Sequence, residues 1–161
     1  MEERGFIIMN LFAVRYSLAD RALEIYVSGC HGENGVHCRN CHNPETWDFS
    51  AGRPWETYID SVKESVEKAG DLIQSIRIYG GGPLDQDLAS LGAFLGFLAG
   101  FGLDLWLFTR RDLEDVPESV LAGLAYVKCG AYDESRPGPV EFFGVSLPTA
   151  NQRIYKRGVD F

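Results

Sequence analysis

The chain has 161 residues, 45% of them apolar and 24% charged. That is the make-up of an ordinary globular protein long enough to bury a core, read here as one unit over 1–161. A formal net charge of −8 argues against nucleic acid or an anionic membrane as partner, because both favour a basic face. The longest apolar stretch, Leu91 to Leu103, holds four glycines and falls short of the ~20 residues a membrane span needs. With an acidic start, Met1-Glu2-Glu3, and no apolar run long enough for a secretory signal, the expected location is cytoplasmic.

In chain order, Phe6 to Ser17 and Ala22 to Ser28 are apolar and β-prone and read as strands, with a turn over Ser17 to Arg21. The second strand delivers the chain to Gly29-Cys30, so the cysteine-rich loop leaves a strand end, where α/β proteins bind ligands. Pro44 opens a short helical turn with Asn43 as its cap. Tyr58, Ile59, Val62, Val66 and Ala69 fall at helical spacing, and Gly70 ends that helix. Leu72 to Tyr79 reads as a strand running into Gly80-Gly81-Gly82-Pro83. Asp85 stands as cap of a helix extending to about Ala99, apolar nearly all round and therefore buried. Within it Gly92, Gly96 and Gly100 recur every fourth residue, which reads as close packing against a sheet despite a helix cost of ~1 kcal/mol each.

Leu103 to Thr109 and Ala125 to Cys129 are further strands, with weak helix around Pro117 between them. From Gly130 the texture changes, and Pro137, Gly138, Pro139 and Pro148 predict a long extended tail over 130–161. Strands alternating with helices predict an α/β fold with a mostly parallel sheet. The sheet is either open or curved into a partial (β/α) barrel, since a full eightfold barrel needs ~250 residues.

The chemistry concentrates in the loop 30–43. Cys30, Cys38 and Cys41 are spaced C-x7-C-x2-C, with His31, His37 and His42 among them. Thiolates bind soft metals, and two of them three residues apart fit one tetrahedral corner. On spacing alone two sites stand equal. One is a closed zinc site of three cysteines and a histidine, serving an interaction domain without catalysis. The other is an iron–sulfur cluster held by three thiolates with one iron open. Cys129 reads as a small hydrophobe packed at a strand end rather than as a further ligand. Gly80, Gly81 and Gly82 read either as a tight turn or as a bare backbone that lets a ligand come close.

Several stretches together resemble one family. They are Val27-Ser28-Gly29-Cys30 with Cys38 and Cys41, Asn43-Pro44-Glu45-Thr46-Trp47-Asp48-Phe49, and Gly80-Gly81-Gly82-Pro83-Leu84. Trp106-Leu107-Phe108-Thr109, Val127-Lys128 with Gly130 and Tyr132, and Thr149 with Asn151-Gln152-Arg153 extend the likeness from about Leu11 to Tyr155. The family is the radical S-adenosylmethionine (SAM) enzymes, and within it the activating proteins of anaerobic ribonucleotide reductases. The resemblance implies an oxidoreductase carrying a 4Fe–4S cluster on Cys30, Cys38 and Cys41. SAM would be held on the fourth iron and contacted by Gly80, Gly81, Gly82, Thr109 and His42. It implies reductive cleavage of SAM and formation of a glycyl radical on a large partner subunit, with electrons from a small donor protein. A radical SAM protein acting on another target is the alternative within the same chemistry.

The chain also departs from the family pattern. The usual spacing is C-x3-C-x2-C, so four extra residues lie within Gly32 to His37. The acidic residue expected after the paired glycines is Gly82, which leaves backbone contacts to do its work. Leu18-Ala19-Asp20 replaces a glycine-proline-glycine before Arg21. His42 stands where relatives have an aromatic, and could stack on the adenine.

Overall fold

The computed structural model describes residues 9–32, 35 and 44–161. Among these the elements are β1 (Asn10–Ser17), β2 (Ala22–Val27), β3 (Arg53–Pro54), α1 (Ile59–Ala69), β4 (Ser75–Gly80) and α2 (Leu88–Ala99). They continue with β5 (Asp104–Phe108), α3 (Glu118–Leu121), β6 (Tyr126–Cys129), β7 (Pro137–Phe142), β8 (Val145–Thr149) and β9 (Arg153–Lys156). One sheet runs in the order β3-β1-β2-β4-β5-β6-β9. Its four middle strands, β2, β4, β5 and β6, are parallel, and the flanking β1, β3 and β9 are antiparallel to their neighbours. The protein is thus mixed α/β with a parallel centre.

Period-two alternation sorts the middle strands. Leu23, Ile25 and Val27 of β2, Ile76 and Ile78 of β4, Leu105 and Leu107 of β5, and Val127 of β6 share one face. They bury there with Val62 of α1, Leu91, Phe94 and Leu98 of α2, and Val120 of α3. Each fully buried aliphatic side chain in that layer contributes about 1.5–3 kcal/mol relative to exposure. The opposite face carries a row of aromatics. Tyr26 stacks on Tyr79 at 5.5 Å, Tyr79 on Phe108 at 4.2 Å, and Trp106 on Tyr126 at 4.1 Å, with Arg77 over Trp106 at 4.2 Å. The β7–β8 hairpin covers the β5–β6 end of this face through Leu147, Val140 and Phe142.

The expected helices at 59–69 and 88–99 form, and Gly70 closes the first at φ 51°. Three details differ from the sequence-based expectation. Gly92 and Gly96 lie on the exposed side of α2, where an added Cβ would meet nothing within 4 Å, so they are not packing against the sheet. The cap of α2 is Asp87, whose carboxylate accepts from the Ser90 N–H at 3.0 Å, which frees Asp85 for another task. The segment after Gly130 is not an extended tail. It folds into the β7–β8 hairpin and then returns as β9 along β6. The hairpin turns on Phe143 and Gly144 at φ 51° and 79°. Two successive positive φ values suit a two-residue hairpin turn, but Asn or Asp normally precedes the glycine, so Phe143 hides the signal.

Because β2, β4, β5 and β6 are parallel, their carboxyl ends emerge together. Ser28 to Cys30, Gly80 to Gly82, Thr109 to Arg111 and Gly130 all leave the sheet at one edge.

Candidate functional site

The root of the cysteine loop is stitched on two sides by backbone hydrogen bonds. On one side the Gly29 N–H donates to Thr46 O at 2.6 Å and the Cys30 N–H to Trp47 O at 3.2 Å. On the other the Gly81 N–H donates to Val27 O at 3.0 Å and the Gly82 N–H to Gly29 O at 2.7 Å. The buried Gln86 side chain adds a bridge, its Nε2 reaching Ser28 O at 3.0 Å and Gly82 O at 3.2 Å. Close approach explains the glycines. A Cβ on Gly81 would stand 2.5 Å from Gly29 O and 2.6 Å from Thr46 O, and one on Gly29 would enter the Phe49 ring. The same ring lies 4.7 Å from the His31 ring, so Phe49 supports the loop just past Cys30. The Gly81 and Gly82 amides are therefore engaged within the protein.

Asp85 holds the next two peptides. Its side chain is 1% exposed. Arg110 grips it at 2.8 and 3.0 Å, Arg111 reaches it at 3.3 Å, and the His31 N–H donates to it at 2.9 Å. Arg110 also donates to Gly32 O at 2.7 Å. Burial pushes the Asp85 carboxyl up. The hydrogen bonds from Arg110 and His31 and the guanidinium charges outweigh that and hold it below the ordinary carboxylate value. Its Oδ2 sits 2.2 Å from where a Cβ on Gly82 would be. The space over Gly82 is thus filled by a carboxylate supplied from three residues further on.

Thr109, at the end of β5, is buried, and its Oγ1 accepts from the Arg111 N–H at 3.1 Å. The structure brings Cys30, Gly80, Gly81, Gly82 and Thr109 to one edge. Cys38, Cys41, His37, His42 and Asn43 lie outside the described residues. The Cys30 Sγ accepts from the Gly32 N–H at 3.4 Å. Sequence reasoning did not single out Asp85, Gln86, Arg110 and Arg111 as parts of this edge. The paired arginines directly after a predicted strand were the signal available.

Cys129 packs as a small hydrophobe at the end of β6, as expected, but it is fully rather than half buried, 3% exposed within the main apolar cluster, and burial pushes its thiol up to about 12. It stays protonated at neutral pH, so native protein treated with iodoacetamide should leave Cys129 unmodified in a peptide mass map. Denatured protein should alkylate there fully.

Beside Gly32 a cleft of about 750 Å³ opens between the segment after β5 and the segment after β6.

Two comparisons bear on this edge. A family model described as a 4Fe-4S single cluster domain matches residues 21–153. The anaerobic ribonucleoside-triphosphate reductase-activating protein of Pasteurella multocida (strain Pm70) is 28% identical over 142 residues, which is 82% of this chain and 85% of that protein.

Proposed function

Since the chain belongs to the 4Fe-4S single cluster domain family, we propose that it is a radical SAM activase whose target is the large glycyl-radical subunit of an anaerobic ribonucleotide reductase. Cys30, Cys38 and Cys41 hold the cluster. The name of the Pasteurella relative supports the choice of partner. The cluster with SAM, held by these cysteines, would supply one-electron reductive chemistry able to remove a hydrogen atom from a glycine of the partner. The chain's own residues do the placing. Gly80 to Gly82 pack closely against the root of the cysteine loop at Gly29, and these glycines, Thr109 and His42 are the residues assigned to contact SAM. The sheet, open or curved into a partial barrel, leaves this edge accessible to a large partner, and a small donor protein in the cytoplasm supplies the electron.

The observation that supports this reading most is the 2.7 Å hydrogen bond from the Gly82 N–H to Gly29 O. It ties the glycine turn to the root of the cysteine loop at Gly29, the two segments that a cofactor bound at this edge would bridge.

Anaerobic reconstitution with iron and sulfide should give a brown protein absorbing at ~400 nm, as iron–thiolate clusters do. With a strong reductant it should convert SAM to methionine and 5′-deoxyadenosine. Mixing with the large subunit should then yield a glycyl radical signal by electron paramagnetic resonance. A colourless protein holding one tightly bound zinc would overturn the proposal. A protein that cleaves SAM but leaves the subunit without a radical would move the target elsewhere.

A further inference from the structure

One flank of the sheet is left open. β1 is bonded by β2 along its length, but β3 covers its other side only at Asn10 and Leu11. From Phe12 to Ser17 that outer edge has no strand beside it among the described residues. Where the edge ends lies an apolar groove of about 200 Å³, lined by Tyr16, Leu18, Lys68, Ala69, Leu72 and Ile73. Of the seven large apolar side chains exposed among the described residues, four belong to this strip: Phe12, Tyr16, Leu18 and Leu72. The groove sits at the amino ends of β2 and β4, where Ala22 pairs with Ser75. That is a strand's length, ~20 Å, from the carboxyl edge that carries Cys30. The stretches outside the described residues, 1–8, 33–34 and 36–43, all join the sheet at that carboxyl edge.

The other flank of the sheet is closed off. β9 is four residues long with Arg153 and Lys156 at its ends. The Lys156 N–H donates to the Asp160 carboxylate at 2.9 Å, and Arg153 pairs with the same side chain at 3.0 Å. Short length, charge and capping of this kind block pairing with a further strand. Phe12 to Ser17 has no lysine and no proline. Its one charge, Arg15, is turned onto the sheet face, 4.6 Å from the Tyr26 ring, with Nη2 donating to the Tyr26 hydroxyl at 2.6 Å. The one irregularity of β1, between Leu11 and Ala13, lies at the end that β3 covers. An open apolar edge of this kind pairs with a further strand.

Charge selects which strand. At a net charge of −8, two copies of this chain repel over most of their surfaces. Between Glu3 and Asp20 there is no acidic residue. At the groove, the Lys68 ammonium is held by Glu64 of the same helix at 2.6 Å, so the rim carries no net charge. Two copies therefore meet along β1 without like charges opposed. Identical edges pair antiparallel about a twofold axis, which makes every contact twice.

We propose that the chain forms a twofold dimer in which the β1 edges of two copies pair antiparallel within Phe12–Ser17, and the apolar groove of each copy is covered by the other. The two seven-stranded sheets then run on as one. The two carboxyl edges point to opposite ends of the joined sheet, and both stay open. The inference stands apart from the activase reading.

The test is the mass of the reconstituted full chain in sedimentation from about 1 to 200 μM. The contact is small, so a dissociation constant of about 1–100 μM is expected. The wild-type mass should rise from 17.9 kDa toward twice that value. Leu18→Glu, at a position 72% exposed, should raise the dissociation constant about 10-fold or more. Val159→Glu adds the same charge at a position 75% exposed beyond β9 and should dimerise like the wild type. Melting curves check that both variants fold. Hydrogen exchange reads the strand pairing itself: amides within Phe12–Ser17 should slow as the wild type is concentrated, and not in Leu18→Glu. A wild type that keeps the mass of one chain throughout overturns the inference. So does an equal loss in Val159→Glu, which makes the effect one of net charge. A dimer without slowed β1 amides places the contact elsewhere and also overturns it. Slowing that appears only when the large subunit is added overturns it too, and gives this edge to that subunit.

Discussion

Gly81→Ala is expected to abolish stable metal loading, while Gly92→Ala loads normally and melts higher. Both substitutions add one methyl group to a glycine of the same chain, so the contrast isolates where the space lies. At position 81 the new carbon would stand 2.5 Å from Gly29 O, 2.7 Å from Gly29 C and 2.6 Å from Thr46 O. All three are backbone atoms, and no flexible side chain can swing aside. Either the glycine turn or the Gly29-Cys30 root has to move. Overpacking of this kind costs about 1–3 kcal/mol or more, and here the strain falls on the bonds from Gly29 N–H to Thr46 O and from Gly82 N–H to Gly29 O, at 2.6 and 2.7 Å. Moving them displaces Cys30, the first of the three proposed ligands, and a cluster would tolerate little displacement of a ligand. At position 92 the methyl meets nothing within 4 Å on the exposed side of α2, and removing a helical glycine contributes about 1 kcal/mol of stability. That corresponds to a rise in Tm of ~2–4 °C for a domain of this size. Iron per chain after anaerobic reconstitution, together with a melting curve, reads both effects. A Gly81→Ala protein that loads iron like the wild type would show that the glycine turn does not support the loop.

The elements that were legible in the sequence are those whose signal is local. β2, β4 and β5 announce themselves as short apolar runs, α1 by Val62, Val66 and Ala69 at helical spacing with Gly70 behind them, and the site by cysteines directly after a strand. What was not legible depends on partners far along the chain. β9 is a strand because β6 offers it an unpaired edge, with Val127 opposite Tyr155 and Lys128 opposite Ile154, and nothing within 153–156 specifies that. The hairpin was hidden because Phe143 sits where a turn-forming Asn or Asp usually sits. Gly92 and Gly96 were read as packing residues because spacing gives a face but not what lies opposite it.

Position 82 is the most instructive case. Read alone, it is the loss of an acidic side chain. In the fold, Asp85 fills the space over it, and Asp85 could look like a helix cap only while Arg110 and Arg111, 25 and 26 residues away in sequence, were out of view. The gap at 82 and the carboxylate at 85 are one packing solution, which ties Asp85 to the loop beside Cys30.

Asp85→Ala should therefore unsettle that loop and the whole fold together. Removing the carboxylate leaves Arg110, 16% exposed, and Arg111, 36% exposed, facing each other without their shared partner. It also strands the His31 N–H. Breaking a buried ion pair from one side costs about 3–5 kcal/mol, and the exposure of Arg111 places this case toward the lower end. Asp85→Asn keeps the shape and one acceptor for His31 but loses the charge and turns the other oxygen into a donor facing the arginines, so it should cost less than Ala, about 1.5–3 kcal/mol.

The two variants also separate in pH. The folded carboxyl of Asp85 lies below its ordinary value, so its contribution is complete above the unfolded value of ~3.9 and is lost as the pH falls through the lower, folded one. Urea unfolding followed from pH 7 to pH 3 should show a constant gap between wild type and Asp85→Asn down to about pH 4–5, closing below that as the wild-type carboxylate takes up its proton. Asp85→Ala should remain less stable than both at every pH, because the missing acceptor does not depend on protonation. Curves that run parallel to the acid end would mean that the Asp85 charge does not hold Arg110 in place. The register of the Cys30–Gly32 root would then have to come from the backbone bonds to Thr46, Trp47 and the glycine turn alone.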